Sequence, residues 1–500
     1  MTMTDAPQAS SKNALEHFDV LIVGAGISGI GSAYHMQQQC PERSFVIIEA
    51  YESFGGTWHM HKYPGVRSDS DLYTFGYRFK PWTGTPIATS AEIKKYMGEV
   101  IDEAGLDEHI RYRHRITHAS WSSLQNQWTV DVKNLETNET RQMTTNFLWM
   151  CQGYYKHSEG YTPEWPNMSS YKGRIVHPQT WPDDLDYDNK KVLVIGSGAT
   201  AATLVPAMAK TAEHVTVLQR SPTYFVPGRN VNELADTLRQ LEINEEWIHE
   251  IVRRKVLFDQ QQVATNSMEY PELVREVLLN GVKELLPEGY DMTHFTPKYR
   301  PWQQRIAFVP EGDLFAGIRE GKASMVTDEI ETFTEKGVRT KGGVEIEADI
   351  VVTATGFHLS VLGDIPFEVD NKPVDWSQTV TYRGMMFTGV PNLAWVFGYF
   401  RASWTLRVDL MGDFIARLFK LMDKKGAKKV TPQIREVEDA DMVIGDWMDP
   451  NNFNPNYLMR SQHLMPKSGD KAEWMHNQDY WTEKDILPAA DLEDGCLRFD

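Results

Sequence analysis

Cysteine is scarce: Cys40, Cys151 and Cys496 are the only three in 500 residues. That number and spacing exclude a disulfide framework, a CxxC redox pair and a thiolate metal clip. No apolar run reaches the roughly 18 residues of a membrane span. The opening MTMTDAPQASSKNALEH has neither the cationic start nor the apolar stretch of a secretion signal. Positive charge is short as well, with 51 Lys and Arg against 69 Asp and Glu, a formal net charge of −18. Nucleic acid and anionic membranes would repel such a chain at long range. The expectation is a soluble, cytoplasmic protein with no nucleic-acid or membrane partner and no obligate protein partner. Its length exceeds one core and allows two or three domains.

What the chain does contain is a pair of glycine-rich loops, each directly after a short apolar run. GAGISG spans Gly24–Gly29 and GSGATA spans Gly196–Ala201. The order FDVLIVGAGISG, a helix to about Cys40, then SFVIIEA reads as a βαβ unit. Gly24 allows the tight turn, Gly26 the close approach of a pyrophosphate and Gly29 close helix packing. Glu49 follows at the end of the next strand, where a carboxylate accepts hydrogen bonds from a free ribose 2′-hydroxyl. That acid suits FAD. The second unit, KVLVIGSGATAATLVPAMA followed by HVTVLQR, ends instead in Arg220, whose charge suits the 2′-phosphate of NADPH, with Ser221 as a further contact. Gly196, Ser197, Gly198, Ala199 and Thr200 form its loop and helix start. Pro206 inside that helix predicts a kink.

These units imply an α/β fold with two Rossmann-like dinucleotide-binding domains, for FAD and NADP, and a helical insertion. Residues 1–165 and 366–500 are expected to build the FAD-binding domain, and 166–222 and 301–365 the NADP-binding domain. Residues 223–300, rich in Leu, Glu and Arg at helical period, are the insertion. In ASMVTDEIETFTEKGVRTKGGVEIEADIVVTATGF, EKG and KGG read as hairpin turns and DIVVTATG as a buried strand, whose end offers Thr355 and Gly356 as cofactor-binding candidates. The run from Trp404 to Met422, apolar every four residues and followed by Gly426, predicts one long amphipathic helix. Beyond it the chain reads as polar and loop-like. Tyr399 and Trp404 are read either as pocket wall or as plain packing. His59 and His61 invite a metal reading, which fails because no further ligands lie nearby, so no metal is expected.

Two further segments carry a family resemblance. YKGRIVHPQTWP, Tyr171–Pro182, resembles the FxGxxxHxxxWP fingerprint of flavin-dependent Baeyer–Villiger monooxygenases, with Tyr171 for Phe and with Gly173, His177 and Trp181 in place. GTWHMHKYPGVRSD, Gly56–Asp69, is similar to that family's GxWxxxxYPGxxxD at each fixed position. YPGVRSDSDLYTFGYRFKPW is similar to the branch of bacterial ethionamide-activating monooxygenases. The resemblance implies that Gly56, Thr57, Trp58 and Asp69 face the cofactors. It further implies that Arg305, in PWQQRIAFVP, and Asp69 are catalytic, the cation stabilising an oxygen adduct of reduced flavin and the oxyanion formed after its attack on a ketone. Gln304 stands where the family has Lys, a residue that contacts NADPH. His177 is implied to couple domain motion to the position of NADP.

The activity implied is conversion of ketones to esters or lactones with NADPH and O2, with ketone or sulfide as the small-molecule substrate. An N- or S-oxygenating flavin monooxygenase of the same architecture is the nearest alternative, and a non-catalytic NADPH-binding sensor a distant one. A thioredoxin-type reductase would need the cysteine pair this chain lacks.

Overall fold

The computed structural model describes residues 15–500. Its larger sheet is organised around the strand Glu16–Val23, whose apolar half, Val20–Val23, is buried on both faces. Phe45–Ile48 and Thr140–Met150 lie parallel to it on either side. Thr140–Met150 continues into an antiparallel meander with Gln127–Asn134 and His114–Ser122. Leu393–Trp395 adds a parallel strand from the distant C-terminal third.

The second sheet is fully parallel, as expected where helices cover both faces. Its order is Ala323–Thr327, His214–Gln219, Lys191–Ile195, Ile350–Thr353, Arg174–Val176. EKG and KGG do turn hairpins, between Ile330–Thr334, Gly337–Thr340 and Glu345–Glu347. The helix Ala199–Met208 runs through Pro206 and ends two residues later, so the proline lies in the closing turn.

Residues 223–300 open with a strand, Phe225–Gly228, that pairs in parallel with Ala307–Pro310. Between these strands rise helices Glu233–Gln240, Glu245–Glu269 and Pro271–Lys283. The Asn232 and Asn244 side chains accept from Ala235 N and Trp247 N, each satisfying an orphan donor of a first turn.

The long helix is Thr405–Lys425, closed by Gly426 at φ +64°. It packs on Ile27–Gln39 closely enough that a Cβ on Gly412 would lie 2.5 Å from the His35 ring. His35 Nε2 is 2.9 Å from Asp409 Oδ1, Arg253 reaches Asp409 Oδ2 at 3.4 Å and Arg78 N donates to Oδ2 at 3.3 Å, so the buried carboxylate is shared among three partners. The segment after Gly426 is more ordered than its polar sequence suggests. Val430–Pro432 pairs with Leu497–Phe499, and helices Asn456–Ser461 and Tyr480–Ala489 follow the core. Arg407 Nη1 meets Glu483 at 3.0 Å in the buried interior. The Tyr399 hydroxyl donates to that same Glu483, and Tyr399 is 2% exposed, so it is packing and not pocket wall. Among the described residues no helix is long and apolar enough to cross a membrane.

Candidate functional site

The first glycine loop leaves its strand at Gly24, φ +99°, a conformation that side chains with a Cβ rarely adopt. A Cβ on Gly29 would lie 1.8 Å from the Gly24 carbonyl, so helix and turn approach as only glycine permits. Glu49 is buried, and its two oxygens accept from Ala25 N at 2.7 Å and Tyr51 N at 2.8 Å. Burial pushes its carboxyl up while these amides pull it down. The carboxylate is thus fixed beside the loop with lone pairs to spare.

Gly55 and Gly56, at φ +122° and +52°, turn a second loop against the first. A Cβ on Gly56 would come 3.0 Å from the Gly26 Cα. Thr57 Oγ1 is 2.8 Å from the Tyr155 hydroxyl, and Trp58 meets Phe75 edge to face. The chain then crosses to the other nucleotide unit. Gly65, φ +76°, lies so near the helix Ala199–Met208 that a Cβ would be 2.7 Å from Ala207 Cβ. Arg67 binds Asp313 through both terminal nitrogens, at 2.6 and 3.1 Å. This is the strong, planar form of an ion pair.

The same crossing delivers Asp69 to Arg305. Arg305 Nη2 is 3.0 Å from Asp69 Oδ2, with both side chains about one third exposed, at 34% and 32%. Asp69 is the chief influence pushing the Arg305 guanidinium up, so it keeps its proton throughout the working range. Tyr457 and Tyr154 stand beside this cation. Burial raises both phenols, which remain hydroxyl donors. Tyr154 stacks on Trp404 with centroids 5.3 Å apart, and Trp404 Nε1 donates to Ser28 Oγ at 2.7 Å, in the first turn of the first glycine-loop helix. The pair therefore sits in an aromatic wall continuous with that loop.

At the second loop, Gly196 has φ +116°, and a Cβ there would strike the Ala354 carbonyl at 2.3 Å. Gly198 faces open space, with nothing within 4 Å of a Cβ, at the start of the helix that carries Ala199 and Thr200. Ser197 Oγ donates to the Ser221 carbonyl at 3.2 Å, tying loop to strand end. Arg220 is exposed and forms no ion pair among the described residues. These features fit two dinucleotides: bare backbone at each helix start, a fixed carboxylate at one strand end and an unpaired cation at the other.

The fingerprint residues are structural in their contacts. Tyr171 OH donates to the Ala348 carbonyl at 2.9 Å, and a Cβ on Gly173 would lie 2.3 Å from the Asp349 carbonyl. Trp181 packs against the core of the second nucleotide unit. His177 accepts from Gln179 N at Nδ1 and lies 3.1 Å from the Gly356 carbonyl at Nε2. A carbonyl can only accept, so the ring is neutral with its proton on Nε2. Burial lowers its pKa in keeping with that form. The strap Tyr155–Gly160 pairs with Phe357–Leu359 beside it, and Thr355 Oγ1 donates to the Tyr161 carbonyl at 2.5 Å.

Sequence reasoning missed Tyr154, Tyr457 and Arg67. The two tyrosines belong to segments without a recognisable motif, and their meeting with Arg305 is purely tertiary. Arg67 lay inside a quoted motif, but nothing in the sequence named Asp313 as its partner.

The fold and site define a two-nucleotide flavoprotein monooxygenase. Residues 22–82 match the model of an NAD(P)-binding Rossmann-like domain, and residues 86–238 match that of the flavin-binding monooxygenase-like family. The chain is 44% identical to the FAD-containing monooxygenase EthA of Mycobacterium tuberculosis (strain ATCC 25618 / H37Rv), over 97% of this chain and 98% of that protein. It is 43% identical to the probable FAD-binding monooxygenase AlmA of Acinetobacter baylyi (strain ATCC 33305 / BD413 / ADP1), over 97% and 96%. Among solved structures it is similar to an oxidized steroid monooxygenase bound to NADP, with a TM-score of 0.74 and 21% identity over 97% of this chain and 99% of the other. OTEMO in complex with FAD and NADP gives 0.72 and 20%, over 97% and 100%. The chain belongs to the FAD-containing monooxygenases that include EthA and AlmA, and FAD and NADP are its cofactors.

Proposed function

We propose that the protein inserts one oxygen atom of O2 beside a ketone carbonyl, giving an ester or lactone with NADPH as reductant. In this reading FAD rests on Gly24–Gly29, Glu49 and Gly56–Trp58, and NADPH on Gly196–Thr200, Arg220 and Ser221. Residues 1–165 and 366–500 then serve the flavin, and 166–222 and 301–365 the nicotinamide nucleotide. When bound, the two cofactors supply the hydride and the activation of oxygen. The balance is ketone, O2, NADPH and a proton in, and ester, NADP⁺ and water out.

The observation that carries the reading is the Asp69–Arg305 pair at 3.0 Å, partly open to solvent and walled by Tyr154 and Tyr457. Oxygen insertion into a ketone develops negative charge on oxygen, and a fixed guanidinium stabilises such charge in place. Asp69 sets the direction of the guanidinium without neutralising it, because Arg does not release its proton in proteins. Losing a preorganised donor of this kind costs about 3 to 4 kcal/mol of barrier. Tyr154 and Tyr457 stand beside the cation and narrow the approach to it.

The test is product analysis of the holoenzyme offered a ketone and, separately, a thioether. Ester from the ketone supports the reading. Sulfoxide from the thioether with no ester from any ketone transfers the protein to the N- or S-oxygenating alternative.

A further inference from the structure

Arg460 is placed by the last turn of the short helix Asn456–Ser461, three residues after Tyr457. Its guanidinium lies 3.5 Å from the Tyr161 ring centroid, a cation–π contact, and Nη2 donates to the Phe357 carbonyl at 3.3 Å. It forms no ion pair among the described residues. A Cβ on Gly356 would be 3.8 Å from Nη2, so the side chain also covers bare backbone.

The strand order locates it further. Lys191–Ile195, which leads into the second glycine loop, lies between Ile350–Thr353 and His214–Gln219. Arg220 ends one flanking strand, and the chain leaving the other reaches Gly356, beneath Arg460. Arg220 therefore follows a strand on one side of the loop Gly196–Gly198, and Arg460 lies over the chain that leaves the strand on the other side. Burial is the main influence lowering Arg460, Tyr161 opposes it, and repulsion from Arg220 adds to the lowering. Glu329, the acid within the field of Arg220, is already held by Lys341 at 2.6 Å. Two cations without an ion-pair partner among the described residues thus stand on either side of one glycine loop, an arrangement that suits an anion between them.

We propose that Arg460 grips the pyrophosphate of NADP across the second glycine loop, while Arg220 holds the 2′-phosphate. The C-terminal segment then completes the nicotinamide nucleotide site, and Tyr161 acts as the platform that keeps the guanidinium extended. The proposal rests on NADP binding alone, not on the ketone reading. Its assays contain no substrate, so either can fail without the other.

Equilibrium titration of the FAD-loaded protein with NADP⁺ and with 2′-AMP, which carries the 2′-phosphate and no pyrophosphate, tests it. In Arg460→Met, NADP⁺ affinity should fall about tenfold while 2′-AMP affinity stays at the wild-type value. Arg220→Ala should lose both. Arg460→Lys, which restores the charge, should recover most of the NADP⁺ affinity, and it carries the test if the Met variant does not fold. Unchanged NADP⁺ affinity in Arg460→Met, equal losses for NADP⁺ and 2′-AMP, or no recovery in a folded Lys variant would overturn the proposal.

Discussion

Changing Asp69 to Asn and Arg305 to Ala, singly and together, separates what each contributes to oxygen insertion. Unit charges 3.0 Å apart attract by about 5 to 6 kcal/mol at an effective dielectric near 20, and by little more than about 1 kcal/mol in water. With each side chain about a third exposed, solvent draws the pair toward the lower figure. Asn retains one acceptor oxygen for the guanidinium. The net loss in Asp69→Asn is therefore about 1 to 2 kcal/mol, roughly a five- to thirtyfold fall in ester-forming turnover. Arg305→Ala removes the cation and should cost about 3 to 4 kcal/mol, roughly a hundred- to thousandfold. Because Asp69 acts through Arg305, the double variant should fall no further than Arg305→Ala. Stopped-flow bleaching of the flavin by NADPH should stay within a few-fold of wild type in all three, while chromatography of the ester reports the loss. Additive losses in the double variant, or normal ester yield in Arg305→Ala, would refute the reasoning.

Arg220→Ala should raise the KM for NADPH by about tenfold or more and leave that for NADH nearly unchanged, since a charge-assisted hydrogen bond contributes about 1.5 to 3 kcal/mol. Equal changes in steady-state assays with the two reductants would remove Arg220 from the 2′-phosphate. The His61 ring is buried, its Nδ1 has no hydrogen-bond partner, and burial pushes its pKa down to about 4. The unfolded chain binds that proton near pH 6.5 and the folded chain does not, so this contribution is complete above pH 6.5 and is lost as pH falls to about 4. The shift corresponds to roughly 3 kcal/mol. Thermal melts of His61→Phe, whose ring suits the neighbouring Tyr63 and Phe357, should lose less stability than wild type between pH 6.5 and 4.5; parallel losses would contradict this.

Much of the scaffold is legible in the sequence because its signals are local. VLIVGAG and VLVIGSG each join a buried strand to a glycine that only a left-handed turn requires, and Glu49 and Arg220 follow at fixed intervals. The long helix is visible from its period and from Gly426. Asp69 and Arg305 are visible only by resemblance, since 236 positions separate them and neither local pattern names the other. Tyr154, Tyr457 and Arg460 are not visible at all. Their segments are polar or irregular, and the contacts that give them meaning form when the C-terminal segment folds back over the strap. For Tyr399 the sequence leaves pocket wall and plain packing open, and the structure decides for packing because Glu483, in a segment that reads as loop, holds the hydroxyl inside.

The most direct test of the central claim is turnover of the FAD-loaded protein with a ketone, NADPH and ¹⁸O2. The account predicts an ester carrying one labelled oxygen, with NADPH consumed in step with ester formed, and loss of that product in Arg305→Ala. Unlabelled ketone recovered intact while NADPH is oxidised, across aliphatic, cyclic and aryl ketones alike, would contradict it.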